Sequence, residues 1–60
     1  PMADSDILRQ LPDRQWAEWA SSKTGKPVGE YYQQALFVLT EIKGLDHDEA
    51  VRILDEHWFG

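Results

Sequence analysis

Residues 29–58, GEYYQQALFVLTEIKGLDHDEAVRILDEHW, decide the fold. Through residue 43 the apolar positions recur at helical spacing. Val28, Tyr32, Ala35, Leu36, Leu39 and Ile42 form one stripe, and Tyr31 and Val38 widen it to an arc of roughly 160°. That width suits a central helix covered on both flanks, and it predicts one continuous helix over residues 29–43. Gly44 then stands where a left-handed C-cap belongs, with Leu45 placed for the accompanying hydrophobic contact. A second helix is expected over residues 46–58. Asp46 followed by Glu49 is a capping-box-like start, with Asp in the place of Ser or Thr. Ala50, Val51, Leu54 and Trp58 are expected to face inward. Arg52 lies in the middle of the outer face, four residues from Asp48 and Glu56 and three from Asp55. Such pairs contribute about 0.2–0.5 kcal/mol each. One arginine cannot neutralise all of them, so this face stays acidic.

Upstream, DRQWAEWASSK at residues 13–23 reads as another helix. Trp16, Trp19, Ala20 and Lys23 share one face, and Arg14, Glu18 and Ser21 lie opposite. Pro12 suits its first position and Asp13 its positive end. Gly25 follows as a left-handed C-cap, and Pro27 prevents continuation. Before it, ILRQL at residues 7–11 suggests a short helical turn with Asp4, Ser5 and Asp6 as caps, and Leu11 before Pro12 ends it. The expected organisation is one small helical domain over residues 1–60, with residues 1–4 frayed: an all-α, three-helix bundle with an N-terminal helical turn and the 29–43 helix at its centre.

Sixty residues bury only about 60 % of the surface that the unfolded chain exposes, so the core has to be efficient. Three tryptophans, two tyrosines and two phenylalanines supply it, each able to bury about 150–250 Å². With no cysteine, disulfides, thiolate metal sites and cysteine nucleophiles are all removed. No apolar run approaches the ~18 residues of a membrane helix, and no charged-then-apolar leader opens the sequence. The expectation is a soluble, cytoplasmic protein with no membrane partner.

The formal net charge is −5, and it is unevenly placed. Residues 1–29 hold four acids and four bases, whereas residues 30–60 hold seven acids and two bases, which accounts for the whole −5. Nucleic-acid binding relies on Lys and Arg to neutralise phosphates, so this balance disfavours it. A protein with a basic surface is the better-matched partner.

Little in the chain carries catalytic or metal chemistry. TGKP at residues 24–27 contains the Gly-Lys of a phosphate loop but lacks its first glycine, preceding strand and following helix. A C-cap and turn explain it better. His47 and His57 fall at opposite ends of one helix and cannot share an ion from it. The acids of DHDE at residues 46–49 serve the positive helix end. Paired carboxylates need a cleft that separates their pKa values, and a domain of this size has little room for one. The expectation is no enzyme activity, no metal and no cofactor.

The aromatic residues are more informative. The face that Trp16 and Trp19 share with Ala20 suggests core or interface placement. Trp58 and Phe59 either clasp the core shut or anchor a partner. Phe37 points about 100° away from Leu36, beyond the apolar arc and among Glu30, Gln33, Gln34 and Glu41. It reads as an exposed anchor for a partner or for self-association.

Two known arrangements resemble the C-terminal half. As a helix-turn-helix, Gly44 would occupy the turn and the last helix would present Asp48, Glu49, Arg52, Asp55 and Glu56 to DNA, a set that mainly repels phosphate. Residues 39–54 also resemble the first two helices of a ubiquitin-associated (UBA) domain. KGLDHDEAVRIL is similar to that family's Met-Gly-Phe loop and second helix, with Lys43, Gly44 and Leu45 in the loop positions. This resemblance implies a small helical module that binds protein. The expected function is therefore a small acidic helical protein-interaction or regulatory module, an adaptor, inhibitor or assembly element, with a homodimeric form in view. The expected partner-binding residues are Phe37, Trp16, Trp19, Asp48, Arg52, Asp55, Glu56, Trp58 and Phe59. The alternative is a DNA-associated regulator of antitoxin or phage type.

Overall fold

The computed structural model describes residues 8–60. The protein is all-α: α1 spans Arg14–Thr24, α2 spans Val28–Phe37 and continues as a π-helical segment over Val38–Ile42, and α3 spans His47–Phe59. The three form a bundle. Of the N-terminal turn, Leu8 and Arg9 are helical, and the Leu11 N–H donates to the Leu8 carbonyl at 3.1 Å. The fraying expected at residues 1–4 and the caps expected at Asp4, Ser5 and Asp6 lie outside the described residues.

Local chemistry sets the helix ends. Asp13 is the N-cap of α1 rather than a residue within it. Its backbone is extended and its carboxylate accepts from the Trp16 N–H at 2.8 Å, satisfying one of the donors a helix start leaves open. Gly25 ends α1 at φ +81°, its N–H bonded to the Ser21 carbonyl, a region that disfavours side chains. The Thr24 hydroxyl donates to the Ala20 carbonyl at 3.0 Å and accepts from the Lys26 N–H at 3.2 Å. With that proton committed, the buried Tyr31 hydroxyl is left to donate to Thr24 at 2.7 Å. TGKP is thus a satisfied turn that pins α1 to α2. At α3, the Asp46 carboxylate accepts from the Asp48 N–H at 3.2 Å. Glu49, expected to reach back to the cap, pairs with Arg52 instead.

Packing corrects the expected faces. The buried cluster contains Ala17 from α1, Ala35 from α2 and Ala50 from α3, together with Ala20, Tyr31, Leu39, Leu54 and Trp58. Each helix contributes alanine to the interior, and α1 contributes two. Small residues at helix contacts allow the close end of the 8–10 Å range of axial separation. Trp16 and Trp19 lie at the edge of this interior, about half exposed. The inward face of α1 is therefore Ala17 and Ala20, not the tryptophans. On α3, Ile53 is buried along with Ala50, Leu54 and Trp58, while Val51 is only half-buried.

The central helix is unbroken but is not α-helical throughout. From Val38 the turn widens, and the Lys43 N–H reaches the Val38 carbonyl at 2.9 Å. Gly44 then adopts φ +79°, and the Leu45 N–H reaches the Leu39 carbonyl at 2.9 Å. That closing bond is one residue longer than in the usual Schellman cap, as a π turn requires. The extra residue rotates the last positions of the helix off the apolar stripe. Ile42, expected inside, is exposed.

Candidate interaction surface

Phe37 stands exposed on α2. At about 100° per residue it points away from buried Tyr31, Ala35 and Leu39, and it makes no ring contact among the described residues. Trp16 and Trp19 lie together, their ring centroids 6.3 Å apart, and Trp16 meets Tyr31 edge-on at 5.4 Å. They form a partly exposed aromatic shelf at the α1–α2 junction.

Trp58 and Phe59, equivalent in the sequence, have different fates. Trp58 is buried, and its indole N–H donates to the Pro12 carbonyl at 2.9 Å. It is the clasp that ties the end of α3 to the segment before α1. Phe59 is exposed, 6.3 Å from Trp58, with the Arg14 guanidinium 5.6 Å above its ring. Such cation–π contacts are worth about 0.5–1 kcal/mol at the surface.

The polar residues separate as well. Asp48 is fully exposed beside His47. Arg52 pairs with Glu49 three residues back and with Glu56 at 4.0 Å. Asp55 is not part of this outer group: its carboxylate accepts from the Tyr32 hydroxyl at 2.5 Å across the α2–α3 contact. Partial burial of the phenol, and then the Asp55 carboxylate beside it, push the Tyr32 pKa up from 10.0 to about 12.

This gives a pH dependence of stability. The folded state favours the protonated phenol, so the contribution is whole below pH 10, falls as pH rises from 10 towards about 12, and is gone above it. In denaturant titrations at stepped pH, the parent should lose stability more steeply across that window than Tyr32→Phe. Parallel slopes would show that the contact does not favour the protonated phenol.

Around these residues the helices leave a cleft of about 410 Å³, lined by Arg14, Val28, Gly29, Tyr32, Trp58 and Phe59. Its volume lies within the usual range for ligand-sized hollows, about 300–1,000 Å³. Sequence reasoning assigned Arg14 to an outward face and gave Gly29 no role. Only the approach of α3 to α1 and α2 brings them to one place, and the single local hint was a glycine inside a helix.

Among the described residues no helix is long and apolar enough to cross a membrane, and no group of three or more His, Asp or Glu side chains is placed to hold a metal ion. No protein-family model matches the chain, and neither does any curated protein or solved structure.

Proposed function

We propose that the chain is a small acidic protein-interaction module that self-associates through its aromatic surface and offers its acidic face to a basic protein partner. The observation that carries this reading is the exposure of five large apolar side chains: Trp16 at 47 %, Trp19 at 57 %, Phe37 at 57 %, Ile42 at 64 % and Phe59 at 62 %. Exposed aromatic side chains that lie together, as Trp16 and Trp19 do, mark an interface more often than scattered ones. A symmetric dimer is the commonest way to cover such surface, because one patch serves both chains. The outer face of α3, with Asp48, Glu49 and Glu56 around Arg52, supplies the charge for a basic partner. The likeness of residues 39–54 to UBA helices points to the same class of partner. Nucleic acid is not the partner we propose, because Arg52 is held between two glutamates. We assign the chain no catalytic role.

Light scattering during size exclusion tests self-association. The parent is expected to run as a dimer at several hundred micromolar, and Phe37→Glu is expected to shift it to monomer with its circular-dichroism spectrum unchanged. A parent that stays monomeric at that concentration would sink self-association. Retention on heparin at moderate salt would transfer the chain to the nucleic-acid class.

A further inference from the structure

Gly29 lies in the first turn of α2 without the positive φ seen at Gly25 and Gly44. A Cβ added there would meet nothing within 4 Å. Neither backbone conformation nor crowding requires glycine at this position, and glycine is a poorer helix former than alanine. Its structural effect is to leave the cleft open beside the helix backbone, the kind of place where glycine permits close approach. Four residues on, Gln33 lines the same cleft. Four further on stands exposed Phe37. Residues spaced by four lie along one side of a helix. Gly29, Gln33 and Phe37 therefore form a stripe with a hollow at one end, a ring at the other and Gln33 midway, about 6 Å from each along the axis.

We infer that this stripe is a self-complementary interface with a second copy of the chain: two α2 helices pack antiparallel about a two-fold axis at Gln33, and each Phe37 ring enters the partner's cleft beside the partner's Gly29. The inference rests on the self-association proposed above and adds its geometry. An antiparallel pair brings both rings to both hollows at once, the reciprocity of a closed two-fold contact. Tyr32, Trp58 and Phe59 line the hollow, and aromatic rings favour edge-on or offset contact with an incoming ring. The absent side chain at Gly29 lets the helices approach closely enough for the ring to enter. Charge agrees with this direction. The stripe is uncharged, so the −5 of each copy is not forced into contact there. Exposed Glu41, about one turn beyond Phe37, would reach the start of the partner's α2, where exposed Lys26 and the positive helix end lie.

Three experiments on the full chain test this geometry. Gly29→Leu fills the hollow at a site with room for a side chain, so it should fold at least as well as the parent by circular dichroism. It is expected to raise the dimer dissociation constant at least about tenfold. Gln33→Cys, in a chain with no other cysteine, places two thiols at the axis and should give a covalent dimer on mild oxidation, whereas Glu18→Cys on α1 should not. Lys26→Glu is expected to weaken the dimer, and adding Glu41→Lys to it should restore affinity. A parent dimer that is indifferent to Gly29→Leu, or that cross-links no better through position 33 than through position 18, would overturn this interface while leaving self-association standing. A monomeric parent would overturn both.

Discussion

Leu39→Ala is expected to lower the unfolding free energy by about 2–5 kcal/mol and to leave the domain only marginally stable at ordinary temperature. Among the described residues Leu39 and Leu54 are the two largest fully buried side chains, and Leu39 sits in the π turn with its carbonyl closing the α2–α3 connection through Leu45. The backbone around it is held from both sides, so the cavity has little freedom to collapse, and that freedom governs the cost. A domain of this size begins from the low end of about 5–15 kcal/mol. Ile42→Ala is the informative contrast. It belongs to the same stripe in the sequence, yet its side chain is exposed, and its replacement should change stability by about 0.5 kcal/mol or less. Urea titrations followed by circular dichroism measure both. A Leu39→Ala variant that unfolds like the parent would refute this picture of the core, and so would an Ile42→Ala variant as damaging as Leu39→Ala.

Trp58→Ala should be comparably severe, at about 3–5 kcal/mol. The indole is buried, meets Tyr32 edge-on at 5.3 Å and donates to the Pro12 carbonyl. It joins the last turn of α3 to the segment preceding α1, contacts that lie far apart along the chain. Trp58→Phe keeps a ring but removes the donor, and about 1 kcal/mol of its loss should come from that hydrogen bond. Phe59→Ala, beside it, should alter stability far less because that ring is exposed. If Trp58→Ala and Phe59→Ala destabilise equally, Trp58 is not the clasp.

Both contrasts pair residues that look alike in the sequence and differ in the fold. Hydropathy periodicity located all three helices, because a helix repeats its faces every 3.6 residues whatever surrounds it. Gly25 and Gly44 marked both turns, because positive φ favours glycine in any tertiary setting. Asp46 was legible as a helix start for the same local reason. The faces were less legible. The two tryptophans carry far more apolar surface than Ala17, yet Ala17 and Ala20 take the interior of α1. Ile42 fits the stripe of a straight helix, and only the wider π turn removes it. Asp55 looks like one more surface acid until α2 brings the Tyr32 hydroxyl within 2.5 Å.

The sequence alone determined an all-α chain, its helix spans to within a few residues, its two glycine turns and its acidic second half. Each arises from interactions between residues a few positions apart, or from charge, which needs no geometry. Tertiary structure decided which alanines form the interior, which of Trp58 and Phe59 is buried, and where Arg14, Gly29 and Tyr32 meet to line a cleft. Those outcomes depend on the distance and angle between helices, and side-chain volumes from all three helices set these together.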